Sequence, residues 1–374
     1  MENLDTANKY KFILLIDNFY IKGFLFFDQD ILLEKKIPIL QEFFNPLFNR
    51  VSYLNKIVSF FIHKYNEFTD INSIEIDLYT SLDFFRKDFL EITSTIFVLN
   101  QDYFNNISSE FSKKFDNIPT FILNISRDSI FISGNSNFSS QITSFDYLYD
   151  QLFKIKDFSD LSILNGKIRK YNLYNFISRF SLNFKEEMTL PILSLLNKNL
   201  LSNFNYDRVD SIPIFILTGD LYQFLSNSNY AVFSLLYGLH LEGIISVYID
   251  NNNVMSLLNH LPDEYIFSNI KHVSDVFNVG FSTNAPMNLD IDVKIVDDES
   301  IKNIKVNRNN IITIPVKDKA HITINLPERS FIGEKKDMIE MISKSNIMID
   351  TRDRSSITPF SVAEWIENSQ NLIF

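Results

Sequence analysis

Three apolar runs open the chain, Phe12–Ile16, Ile21–Phe27 and Ile31–Ile39, separated only by the polar stretches "DNFY" and "DQD". Turns this short press each run against the next as an antiparallel neighbour, because a parallel return needs a crossover of about a dozen residues or more. A three-stranded meander is therefore predicted at the start of the chain. After Pro46, "LFNRVSYLNKIVSFFIHKYNEF" carries Leu47, Val51, Leu54, Ile57, Val58 and Phe61 at helical steps. That spacing predicts an amphipathic helix lying on the meander. The alternating "SIEIDLYT", a helix from Leu82, the apolar run "STIFVLN" and a helix over Tyr103–Phe115 follow.

The order then restarts. Sliding the chain by 109 residues sets "FILLIDNFYI" (12–21) on "FILNISRDSI" (121–130), with identity at five of ten positions. Strands are predicted at "FILNIS", "SIFISG" and "SSQITSF", then helices around Tyr147–Lys156, Leu173–Phe180 and Leu190–Leu201. A buried strand "IPIFILTG", a helical stretch from Asp220, a strand "GIISVYID" and a short helix "NNVMSLLNHL" complete the second pass. Two successive units of order βββαβα are expected, residues 1–118 and 119–280. From about Phe281 strict alternation takes over in "LDIDVKIV", "NIKVNRNNIITIPV" and "AHITINLP", with "SNIMIDTRDRS" as a further strand. Residues 281–374 read as a small antiparallel β domain with a short helix at Pro359–Glu367 carrying Trp365.

Composition removes much chemistry. No cysteine is present, which excludes disulfides, thiolate nucleophiles, Cys-bearing zinc sites and iron–sulfur ligation. A net charge of −11 opposes an electrostatic grip on nucleic acid or anionic lipid. The longest apolar runs fall far short of the roughly 18 residues that cross a bilayer, and the acidic start "MENLD" is unlike a secretory signal. A cytoplasmic protein is the expectation. The eight glycines are too dispersed for G-x-G-x-x-G, and Gly238 to Gly243 lacks the Lys-Ser/Thr of a phosphate loop. The five histidines form no H-E-x-x-H, and no G-x-S-x-G elbow exists. Glu75 and Asp77 share a strand face, which reads most simply as its solvated side.

Three turns remain, Asp17–Gly23, Ser126–Ser129 and Thr218–Asp220. In duplicated βββαβα halves they occupy matching places facing the cleft, which is the actin-like (ribonuclease H-like) ATPase plan. Residues 210–261, with "IPIFILTGD" and "GIISVYID", resemble the later part of the glutamate-mutase-associated MutL family of that superfamily. "IITIPVKDKAHITINLPERSF" and "SNIMIDTRDRS" are similar to the β-rich tail of its long members.

The resemblance implies a nucleotide-bound metal near Asp17, Lys22 as the cation in reach of phosphate, Ser126 at the second phosphate turn, and Gly219 and Asp220 at the adenosine side. The sequence departs from the family pattern at each turn. Phe19 stands in a glycine place, Ser126 replaces an aspartate, and Asp128 and Asp220 replace glycines. Bulk or negative charge where bare backbone should meet an anion opposes nucleotide binding. The expectation is therefore a non-catalytic actin-like scaffold acting on a protein partner or as a homo-oligomer, without a cofactor. Its alternative is a weak ATP or ADP binder, with Mg, serving a cobalamin-dependent mutase.

Overall fold

The computed structural model describes residues 10–16, 20–39, 47–66, 75–80, 95–98, 120–125, 130–134, 139–141, 197, 200–201, 213–219, 222, 228–238, 244–250, 254–258, 261, 276–282, 291–297, 300–307, 310–316, 319–325, 331–332, 334–335, 338–343 and 346–351. The predicted helices beyond Leu82, over 103–115, 147–156, 173–180 and 359–367, together with Trp365, lie outside the described residues. Residues 197, 200 and 201 are helical, inside the stretch predicted over 190–201. The chain forms two compact units, Met1–Phe104 with Asn253–Val273, and Asn105–Asn252 with Ser274–Phe374. None of the described helices is long and apolar enough to cross a membrane.

The first unit is built on a five-stranded sheet. Strands β1 (Tyr10–Ile16), β2 (Tyr20–Phe27) and β3 (Asp30–Pro38) form the predicted meander, and β4 (Glu75–Thr80) and β5 (Thr95–Val98) add in parallel on the other side of β1. The order is β3-β2-β1-β4-β5. Helix α1 (Arg50–Asn66) makes the crossover from β3 to β4 and starts where Asn49 caps it, Oδ1 accepting from the Ser52 N–H at 3.0 Å. Its Leu54, Ile57, Val58 and Phe61 pack on Phe12, Leu14, Ile16, Ile21 and Leu25. Gly23 lies beneath this contact, where a Cβ would come within 3.0 Å of Phe12 Cζ and 3.1 Å of Phe61 Cδ2. The bare backbone at 23 lets both rings reach the sheet, 5.9 Å apart between centroids. The helix α3 (Val254–Leu258) also belongs to this unit and is buried at Val254, Met255, Leu257 and Leu258.

The second unit contains an eight-stranded sheet that begins with β14 (Ile311–Ile314) and β19 (Ile347–Asp350) and has the order β14-β19-β11-β10-β9-β6-β7-β8. Here β6 is Thr120–Ile125, β7 Ile130–Gly134, β8 Ser139–Gln141, β9 Ile214–Thr218, β10 Ile245–Ile249 and β11 Val276–Ser282. Strands β6, β7 and β8 pair antiparallel, while β9 runs parallel to β6 and β10 parallel to β9. The series β8-β7-β6-β9-β10 thus repeats the order and directions of β3-β2-β1-β4-β5. Phe121, at the same offset as Phe12, likewise covers a glycine, since a Cβ on Gly134 would fall 2.5 Å from its ring. Helix α2 (Ser228–Gly238) connects β9 to β10, with Ala231, Val232, Phe233, Leu235 and Leu236 buried. It lies inside the helical stretch predicted from Asp220, of which residues 220–221 and 223–227 lie outside the described residues.

The alternating tail supplies two layers. Strands β12 (Ile291–Val296), β13 (Ile301–Val306), β15 (Ala320–Asn325) and β18 (Met338–Ser343) form an antiparallel sheet of order β13-β12-β15-β18. Strands β14 (Ile311–Ile314) and β19 (Ile347–Asp350) instead join the eight-stranded sheet beside β11, and β16 (Phe331–Ile332) pairs with β17 (Glu334–Lys335). Ile291, Val293, Ile295, Ile322 and Ile324 of the smaller sheet share one core with Ile314, Ile347 and Ile349 of the larger. β11, which straddles residue 280, was not apparent from the sequence pattern. Its partner β19 ends in a tie, as the Thr351 hydroxyl donates to the Asn307 carbonyl at 2.9 Å and the Thr351 N–H to that of Asn310 at 2.9 Å.

Removing the ring at the centre of the first unit tests this packing. Phe61 is wholly buried, so Phe61→Ala is expected to lower the unfolding free energy by about 3–5 kcal/mol in urea titration. Phe60→Ala, at a ring 48% exposed, should cost far less. Equal losses would contradict the assigned face of α1.

Candidate functional site at the strand ends

Open α/β sheets bind ligands beyond the carboxyl ends of their parallel strands. In the second unit those ends belong to β6, β9 and β10. Asn124 pairs with Thr218, and the pairing of Ile249 with Leu217 sets Asp250 level with Thr218 in turn. Residues directly opposite in a sheet share a face, so the register aligns an amide, a hydroxyl and a carboxylate across three strands. All three are buried. The Thr218 hydroxyl donates to Asp250 Oδ2 at 2.8 Å, and the Asp250 N–H donates to the Leu217 carbonyl at 2.8 Å. The carboxylate is therefore held both through its side chain and through its own backbone.

Gly219 follows directly, with φ at +110° in the region that favours glycine. A Cβ there would lie 2.4 Å from the Ile125 carbonyl oxygen and 2.7 Å from the Ile125 nitrogen. The turn after β9 therefore packs on the end of β6, the strand that leads into Ser126. A second buried chain lies in the same unit. The Tyr222 hydroxyl donates to Asn197 Oδ1 at 3.2 Å, Asn197 Nδ2 donates to Ser234 Oγ at 3.1 Å, and Ser234 donates to the Ala231 carbonyl at 2.7 Å. Burial pushes the Tyr222 phenol well above its ordinary range, against a smaller opposing effect of the Asn197 hydrogen bond.

Of the residues singled out from the sequence, Gly219 and Lys22 are described, and Asp17, Ser126 and Asp220 lie outside the described residues, as do Phe19 and Asp128. Lys22 sits inside β2 opposite Leu15 of β1 and Lys36 of β3. It is fully buried on the face that also carries Ile13, Phe24 and Phe26, the side away from α1. Tyr20 opens β2 half-buried, with the Lys36 ammonium 5.3 Å from its ring centroid. The polar row across β6, β9 and β10 was not assembled from the sequence. Its signal was present in three apolar runs that each meet a polar residue at their end, Asn124 in "FILNI", Thr218 in "FILTG" and Asp250 in "SVYID". Among the described residues, no group of three or more His, Asp or Glu side chains is placed to hold a metal ion.

No protein-family model matches the chain, and no curated protein matches its sequence. Several solved structures are similar to it. Component A of (R)-2-hydroxyglutaryl-CoA dehydratase from Acidaminococcus fermentans aligns at 10% identity over 71% of this chain and 99% of its own, with a TM-score of 0.35. The ethanolamine utilization protein EutJ from Carboxydothermus hydrogenoformans aligns at 10% identity over 69% and 89%, also with a TM-score of 0.35. An Aquifex aeolicus member of the Ppx/GppA family aligns at 6% over 55% and 65%, with a TM-score of 0.29. These neighbours are members of the actin-like ATPase superfamily, and likeness at this level carries no inference about a ligand or an activity.

Two substitutions test the strand-end geometry. Gly219→Ala forces an L-residue into a strained backbone and drives a methyl against a carbonyl that cannot rotate away, so a loss of about 2–5 kcal/mol in unfolding free energy is expected. Gly23→Ala, whose obstacles are ring edges, should cost less in the same titration. For Tyr222 the sign follows from the raised value in the fold: its contribution is complete below the ordinary phenol value of 10.0 and is lost as pH rises beyond it. Stability of the native chain is expected to fall more steeply above that pH than stability of Tyr222→Phe, measured by chemical denaturation along an alkaline pH series.

Proposed function

We propose that this chain is a non-catalytic protein of actin-like design that serves as a scaffold or accessory factor through protein contacts. Two strand sets of one order and one pattern of directions support the design. Equal topology in a chain whose sequence also repeats at an offset of 109 residues is the expected trace of a duplicated unit.

The observation that carries the non-catalytic reading is the packing of the β9 turn on the end of β6. Gly219 uses its bare α-carbon to admit the backbone of Ile125, and the Asp250 carboxylate takes the Thr218 hydroxyl while wholly buried. The glycine that the resemblance sets at the adenosine side already serves the chain's own packing. Lys22 supports the same reading, since a side chain wholly buried within β2 is poorly set to meet a phosphate.

A second reading has one observation in its favour. Gly219 keeps the left-handed turn beside β6 on which an adenosine pocket of this superfamily would be built. Under that reading Asp17 and Lys22 hold a metal–phosphate group, Gly219 and Asp220 flank the adenosine, and the protein assists a cobalamin-dependent mutase. Thermal unfolding with ATP or ADP and Mg²⁺ separates the two. Under the scaffold reading the melting midpoint does not move. A ligand at about a hundred times its Kd would raise it by about 5 °C. Such a rise, absent in Asp17→Ala, would reverse the conclusion.

A further inference from the structure

The four-stranded sheet ends on β13 at one side and on β18 at the other, and among the described residues each pairs with a single neighbour. An end strand presents a row of backbone groups that can template another strand. The register arranges the outward face of this sheet in rows. One row reads Ile301, Val296, His321, Ile342, and another reads Lys305, Asp292, Asn325, Met338. Ile301 is 65% exposed and Ile342 55%, so the first row carries a solvated isoleucine at each end. The charges on the two end strands are opposite in sign. β13 has Lys302 and Lys305 and no acid, whereas β18 has Glu340 and no base.

We propose that β13 of one copy of this chain pairs antiparallel with β18 of a second copy, continuing the sheet from molecule to molecule. The direction follows from the sheet itself. Its strands alternate, so the strand that continues the pattern beyond β18 runs as β13 does. Continuing the rows sets Ile301 against the second copy's Ile342 and removes both from water. The same register sets Lys305 diagonal to Glu340, within reach of long side chains. Other pairings of the ends are disfavoured: β13 against β13 brings lysines together, and β18 against β18 brings glutamates together. The surfaces joined are different, so the contact does not close on itself and growth is open-ended. A single strand pair buries less than the roughly 1,000 Å² of a stable complex, which makes the association weak and concentration-dependent.

This names a partner for the scaffold reading and rests on that reading for its meaning, but its test is separate. Sedimentation velocity and light scattering on the full chain at low salt are expected to show a weight-average mass that climbs with concentration past that of a dimer. Ile301→Glu and Ile342→Lys should each move that rise to about tenfold higher concentration, since each sets a charge against an isoleucine. Combined in one chain they set opposite charges face to face and should restore most of the wild-type behaviour. Thermal melts of the three variants confirm that they fold. A wild type that stays monomeric, a fixed dimer that does not grow, or single variants indistinguishable from wild type would each overturn the proposal. A monomeric result leaves the scaffold reading open to a different partner, whereas nucleotide stabilisation would remove that reading and leave self-pairing standing.

Discussion

The approach of Gly219 to Ile125 governs the second unit. Strands β6, β9 and β10 run parallel and side by side, and the turn that ends β9 must clear the end of β6. Only a residue without a β-carbon clears it, because the Ile125 carbonyl oxygen occupies the space where a side chain would begin. With that turn in place, Thr218 falls level with Asn124 on one side and Asp250 on the other. The buried carboxylate obtains its hydroxyl partner from this alignment, and a charged group left in such a place without partners would carry a heavy desolvation cost.

The proposed function rests on how that space is used. A nucleotide site needs exposed backbone amides, a glycine that makes room for a ligand, and a cation that reaches outward. In this chain the glycine makes room for the chain's own backbone, and Lys22 is buried within β2, opposite Leu15 and Lys36. The described surface offers strand edges and exposed apolar side chains. The outward rows of the four-stranded sheet hold both, with opposite charge on its two ends.

The two units also show how little sequence identity a shared topology requires. Short turns fix β2 beside β1 and β7 beside β6, and a parallel partner can then add only on the free side of β1 or β6. The order of the five strands is thus a consequence of turn length and crossover geometry. Phenylalanine over glycine recurs in both hairpins, Phe12 on Gly23 and Phe121 on Gly134, because a strand glycine leaves a hollow that a ring on the neighbouring strand fills.

Local pattern alone determined the hairpins, α1 and the alternating strands of the tail, because their signals are periodicity and turn length, which act over a few residues. Phe12, Leu14 and Leu54 were legible as core for the same reason. The polar row at the strand ends was legible only in pieces, since Asn124, Thr218 and Asp250 lie far apart in the chain and meet through parallel pairing. That Gly219 is required by Ile125, that Lys22 is buried, and that β14 and β19 leave the tail for the larger sheet were decided by tertiary structure. The physical reason is common to all three: each depends on which strand lies beside which, and an alternating pattern specifies a strand's faces without specifying its neighbours.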